Sequence, residues 1–363
     1  MRQKAPVAWM STKFPLELPA ALGLEVYCPE SAAAAAAGRG ESGALCRLAQ
    51  DMGYAGDLCS YVRMGMVMAQ RPQAGGLPRP DVLLCCDNIC AGMVQWYRAM
   101  ARTLQVPLVL VDMPYGQGER AADYVRGQLL EAVGVLEELA GTPWREETFA
   151  LACRRGERSA LAWQRVLNAA QALPSPLENM EVFAYMPDMV TRRCAPETEE
   201  KLLAVARALE ERSAPRGAPR YRIFWEGTPC WPVLGQVLPL LGERGIQVVA
   251  DTISHSLAFR CRDLDGLARA YCATINGMSL ERGVAWRAEL CRRFRVDGVL
   301  VHYNRSCRPW CGALQEVERR LREELGVPVV SFQGDQGDPA LFSLAQFATR
   351  LDALTEQMQQ RRG

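Results

Sequence analysis

Short, nearly uninterrupted apolar runs alternate along the chain with longer segments of helical periodicity. That pattern predicts α/β layering with mainly parallel strands. The clearest predicted strands are Asp81–Cys86 (DVLLCC), Val106–Asp112, Tyr221–Trp225, Ile246–Ala250, Val296–His302 and Val327–Phe332. Parallel strands covered on both faces read as continuous hydrophobic stretches, as these do. Helices are predicted over Ala91–Leu104, Glu119–Ala140, Glu197–Arg212, Val233–Arg244, Gly283–Phe294 and Gly312–Leu325. Gly326, ahead of Pro328, reads as the C-cap of the last.

The strands fall into two groups, about residues 81–112 and 221–332, so two doubly wound domains are expected. The boundaries expected are an N-terminal α/β domain with a leading helical segment over 1–195, a helical linker over 196–219, and a C-terminal α/β domain over 220–363. Ser213-Ala-Pro-Arg-Gly-Ala-Pro219 reads as the hinge, and the alanine run Ala32–Ala37 as a surface loop or short helix.

Charge narrows the function. Lys and Arg number 42 against 41 Asp and Glu, a formal +1, which leaves no basic excess for nucleic acid or an anionic membrane. No run approaches ~18 apolar residues, and Met1–Pro15 has no secretory core, so a cytoplasmic chain without a membrane partner is expected. There is no GxxxxGK[ST] motif, and Gly116-Gln-Gly118 lacks the third glycine of a strand-linked GxGxxG, so nothing supports ATP or NAD binding by this chain.

Cysteine is the outlier. Fourteen thiols in 363 residues are too few for a disulfide scaffold, and only His255 and His302 accompany them. CxxC pairs and CxxCxxC runs are absent, which excludes zinc ribbons and bacterial ferredoxin sites. Cys46, Cys153, Cys272 and Cys291 fall inside predicted helices and read as small buried residues. Cys86 and Cys307 instead follow strands of the two halves, where open α/β sheets build their sites. Cys59 lies in a glycine-flanked loop leading into a helix. If the halves face one another, these three could hold a [4Fe–4S] cluster with one iron lacking a cysteine. Isolated buried cysteines or a Cys307/Cys311 redox pair are the rival readings.

At these residues the chain resembles the 2-hydroxyacyl-CoA dehydratase and benzoyl-CoA reductase subunit family, which includes 2-hydroxyglutaryl-CoA dehydratase D-component subunits. The resemblance is carried in order by Trp9-Met-Ser-Thr-Lys-Phe-Pro15, Asp57-Leu-Cys59-Ser-Tyr-Val-Arg63, Cys86-Asp87, Trp225-Glu-Gly-Thr-Pro-Cys-Trp231, Asn304-Arg-Ser-Cys307-Arg-Pro-Trp310 and Gly334-Asp335 with Asp338-Pro339. It implies two flavodoxin-like domains with an iron–sulfur cluster in the cleft between them, held by Cys59, Cys86 and Cys307. It also implies a homologous second subunit (a heterodimer, or a homodimer) and a separate ATP-dependent iron–sulfur activator.

The implied reaction turns a 2-hydroxyacyl-CoA into a 2-enoyl-CoA. One electron added to the thioester carbonyl gives a ketyl radical, hydroxide leaves, C3 loses its now acidic proton and the electron returns. The open iron can bind the thioester oxygen. Ser11 stands where the family can place a residue near that iron; a helix N-cap is its other reading. Cys86 is preferred over Cys85 and Cys90 because Asp87 follows it, and Cys307 over Cys311 because Asn-Arg-Ser precedes it. His302 reads as packed rather than as a proton carrier, and no general base is legible. The family also offers a benzoyl-CoA-reductase-like or double-cubane ATP-dependent reductase, or a non-catalytic electron-relay subunit. Length and N-terminus suggest the smaller, second subunit.

Overall fold

The computed structural model describes residues 5–71, 74–116, 118–212 and 220–362, so the expected hinge Ser213–Pro219 lies outside the described residues. The first sheet contains β1 (Val7–Met10), β2 (Glu25–Tyr27), β3 (Val82–Cys86) and β4 (Leu108–Val111) in the order β2-β1-β3-β4. The second contains β5 (Tyr221–Glu226), β6 (Ile246–Asp251), β7 (Gly298–Asn304) and β8 (Val329–Gly334) in the order β6-β5-β7-β8. Every pairing is parallel. The two halves thus repeat one doubly wound topology of flavodoxin-like order, whose ligand crevice opens at the carboxyl ends of the strands where the winding reverses.

Alternation puts successive side chains on opposite faces, and both faces are packed. Along β3, Val82, Leu84 and Cys86 enter one core while Leu83 and Cys85 enter the other. Along β7, Val299 and Val301 face one core and Leu300 the opposite one.

The strand pattern was incomplete at the N-terminus. The first group begins at Val7, not Asp81, because β1 and β2 are only four and three residues long and show no period. The last predicted helix runs over Leu314–Leu325, preceded by a separate short helix Arg308–Cys311, and Gly326 caps it at φ 62° as expected. Of the two readings of the alanine run, the short helix is the one found. The run forms the middle of the helix Pro29–Gly38, with Ala33, Ala36 and Ala37 buried.

The cores do not follow chain order. The helix Glu146–Asn168 places Phe149 and Cys153 in a core of the first sheet and Trp163 and Val166 in a core of the second. Between β6 and β7 the chain crosses back, and Phe259, Leu267 and Tyr271 complete the first sheet's core. A buried bidentate pair, Arg193 to Glu17 at 3.0 and 2.8 Å, sits at this seam, and Arg193 also donates to the Tyr271 hydroxyl at 2.8 Å. Among the described residues no helix is long and apolar enough to cross a membrane.

Candidate active site

The two switch points share one cavity of about 480 Å³. Residues at or just beyond the carboxyl ends of β1 (Thr12, Lys13), β3 (Ile89, Cys90), β5 (Thr228, Trp231), β7 (Asn304, Ser306, Cys307) and β8 (Gln336) all line it. Its walls are mainly apolar, with Tyr61, Trp96, Trp231, Trp310, Ile253 and Leu257 among them. Trp96 is seated by Gly65, where an added Cβ would stand 2.1 Å from the indole ring.

Three cysteines face this space: Cys59, Cys90 and Cys307. Each immediately precedes a helix, Ser60–Gln70, Ala91–Leu104 and Arg308–Cys311 respectively. Free backbone N–H groups at a helix start favour negative charge on a capping sulfur. The Met93 N–H donates to Cys90 Sγ at 3.3 Å, and the Gln336 side-chain amide donates to Cys59 Sγ at 3.3 Å. Burial is the larger influence on the free thiols. It pushes Cys59 up to about 11 and Cys307 up to about 12, and raises Cys90, while backbone N–H groups pull each downward. Such thiols give up their protons when a metal supplies the compensating charge.

Of the expected cysteines, the structure brings Cys59 and Cys307 into the cavity and leaves Cys86 outside its lining. Cys86 is fully buried, donates to Asn88 Oδ1 at 2.8 Å and lies 3.7 Å from the Ser11 hydroxyl. Ser11 caps no helix: its hydroxyl accepts from the Cys86 N–H at 3.3 Å, joining β1 to β3. Cys90, four residues on, takes the cavity-facing position. Cys85 points into the opposite core, and Cys311 donates to the Asn304 carbonyl at 3.2 Å.

Both histidines are packed. His302 stacks on Phe332 at 4.9 Å, with Nε2 3.3 Å from Cys230 Sγ. His255 directs Nδ1 at the Asp251 carbonyl at 2.9 Å and sets its edge against Phe294. Burial lowers the pKa of both, His255 to about 4.

Two charged residues of the cavity were not legible beforehand. Lys13 is buried, and desolvation lowers its pKa to about 7. Glu30, at the start of the helix after β2, is also buried and its pKa is raised by burial. It accepts from the Thr12 N–H at 3.1 Å and from the Tyr97 hydroxyl at 3.0 Å. Recognising β1 would have exposed them, because residues just after a parallel strand fall at the crevice.

Three soft sulfur donors with N–H groups aimed at them, around a cavity without a fourth cysteine among its described lining, form a donor set suited to a cluster with one cysteine-free iron. Among the described residues no three His, Cys, Asp or Glu side chains stand close enough for a single metal ion, so the fit rests on donor chemistry and space.

The sequence matches the family model described as 2-hydroxyglutaryl-CoA dehydratase, D-component, over residues 11–358. It is 33% identical to the alpha subunit of the (R)-2-hydroxyglutaryl-CoA dehydratase of Acidaminococcus fermentans, covering 97% of this chain and 92% of that one. It is 36% identical to the (R)-phenyllactyl-CoA dehydratase alpha subunit of Clostridium sporogenes, over 97% and 89%. Both of these dehydratase relatives are named as alpha subunits. A benzoyl-CoA reductase chain of Thauera aromatica is 24% identical, over 92% and 84%.

Proposed function

Because the chain belongs to the 2-hydroxyglutaryl-CoA dehydratase D-component family, we propose that it is the iron–sulfur subunit of a 2-hydroxyacyl-CoA dehydratase. With a homologous second subunit it converts a 2-hydroxyacyl-CoA to a 2-enoyl-CoA. The observation that carries this reading is the meeting of Cys59, Cys90 and Cys307 at one largely apolar cavity, in a chain alike to dehydratase alpha subunits nearly end to end.

Cys59, Cys90 and Cys307 would hold a [4Fe–4S] cluster, while Cys86 and Ser11 pack against each other outside the cavity lining. When bound, that group would supply reversible one-electron chemistry for a ketyl-radical route. ATP is then handled by a separate activator, consistent with the missing phosphate-binding loop.

This chain's residues do the remaining work. Trp96, Trp231 and Trp310 wall the cavity and exclude water, which strengthens every charge interaction inside. Glu30 is the proton acceptor for C3. Its burial makes it a stronger base than a solvated carboxylate, and Thr12 and Tyr97 fix its orientation. The Gln336 amide and the Met93 N–H disperse charge on the Cys59 and Cys90 sulfurs.

The test is turnover of a 2-hydroxyacyl-CoA panel by anaerobically purified protein with its partner subunit and reduced activator, scored by mass spectrometry. A product lighter by one water is expected. Iron-replete protein that dehydrates none of the panel would overturn the reading. The likeness to a benzoyl-CoA reductase chain favours one second reading, an ATP-dependent reductase. In that case the product gains two hydrogens instead of losing water, and more than about four irons per chain would mark a larger cluster. An electron-relay subunit would show cluster EPR indifferent to acyl-CoA.

A further inference from the structure

Lys13 is 6% exposed and lines the cavity that holds the three thiols. Its ammonium donates to the Ser256 carbonyl at 2.8 Å and reaches the Ser256 hydroxyl at 3.2 Å, and it stands 4.9 Å from the Phe259 ring centroid. Among the described residues it has no carboxylate partner. The neighbouring Arg193 is already neutralised by Glu17, and Glu30 meets this segment through the Thr12 N–H.

A buried ammonium without a counter-ion is costly, and interiors keep such charges paired. Two neutral oxygens and a ring face satisfy its hydrogen-bonding geometry but leave its charge uncompensated. A methionine would fill similar space, giving up the donor to the Ser256 carbonyl. Cys86, a neutral thiol, is also within electrostatic reach, and the position of Lys13 at the crevice end of β1 sets it against whatever occupies the cavity.

We propose that Lys13 is a catalytic residue that donates a hydrogen bond to an oxygen of the bound acyl group as that oxygen gains negative charge. The inference rests on the dehydratase reading. In that reaction two acyl oxygens become more negative, the thioester carbonyl as it takes up the electron and the hydroxyl as the C2–O bond breaks. A positioned donor in a water-poor site stabilises either, and the developing negative charge favours the protonated form of the amine. The net chemistry is unchanged: C2 loses its oxygen, C3 its proton, and water leaves.

The experiment compares wild-type protein with Lys13→Met and Lys13→Gln, each with partner and activator. For Lys13→Met, kcat should fall about 100-fold or more with KM within about threefold, the pattern of lost transition-state stabilisation. Lys13→Gln keeps a neutral donor and should fall between. Iron content should match wild type, and the melting temperature of Lys13→Met should stay within a few degrees of it. A 2-chloroacyl-CoA separates the two oxygens: chloride leaves without a donor, so the loss disappears if Lys13 serves the departing hydroxyl and persists if it serves the carbonyl.

A kcat within about threefold of wild type overturns the proposal. So does a loss confined to KM for acyl chains ending in a carboxylate, which would make Lys13 a receptor for that group. A variant that loses iron or melts several degrees lower assigns Lys13 a structural role, which also overturns it. Failure of wild-type protein to dehydrate any substrate overturns the dehydratase reading itself, and the two failures are distinct.

Discussion

Arg63 Nη2 lies 2.9 Å from Asp338 Oδ2, joining the helix that follows Cys59 to the loop that follows β8. Arg63 is fully buried and its Nε also donates to the Leu58 carbonyl at 3.1 Å, so one guanidinium ties the Cys59 loop to the second half of the chain. Asp338 is held in turn by the Ala340 N–H at 3.0 Å. Arg63→Met strands this carboxylate at the seam, and unfolding stability should fall by about 3–5 kcal/mol. Adding Asp338→Asn should restore part of the loss, measured by denaturant unfolding. Equal stability of Arg63→Met and wild type would show that the bridge holds nothing.

Gly65 and Trp96 give a packing test. The Cβ of Gly65→Ala would meet the indole at 2.1 Å, and Trp96 lines the cavity, so the ring must shift where the site is built. The variant should lose about 1–3 kcal/mol and bind acyl-CoA more weakly. Combined with Trp96→Leu, which removes the clashing ring, it should regain stability over Gly65→Ala alone. A Gly65→Ala protein of wild-type melting temperature and affinity would contradict the contact.

His255 carries a pH signature. Its Nε2 is buried without a partner, and burial holds its pKa near 4 in the folded chain, below the 6.5 of a free histidine. Between these values the unfolded chain binds the proton more readily. The stability contributed by the neutral ring is therefore complete above pH 6.5 and lost as pH falls toward 4. Buried acids with raised pKa, such as Asp251, act in the opposite direction, so the comparison must be with His255→Gln. Stability of wild type relative to that variant should decline over this window by an amount on the order of 1–3 kcal/mol. Parallel pH profiles would mean that His255 titrates freely.

Much of the architecture was legible because buried parallel strands announce themselves. β3 to β8 and their flanking helices carry the long apolar runs and periodic faces that pattern reading detects. β1 and β2 do not: Val7–Met10 and Glu25–Tyr27 are defined by neighbours that sequence proximity does not supply. That omission concealed Lys13 and Glu30. The cysteines show the same division. Position after a strand pointed to Cys86, whereas the thiol that lines the cavity is Cys90, and which of the two does so depends on how the loop turns before the helix Ala91–Leu104. Asp87 turned out to accept from the Met113 N–H at 2.8 Å, a contact within the first half that does not orient Cys86 toward the cavity.

The sharpest test is the iron content and EPR spectrum of single cysteine variants after anaerobic reconstitution. Cys59→Ala, Cys90→Ala and Cys307→Ala should each fall well below the about four irons of a [4Fe–4S] protein and lose or alter its signal. Cys86→Ala should keep both. A Cys86→Ala protein without its cluster beside an iron-replete Cys90→Ala would contradict the assignment and return the middle ligand to the end of β3.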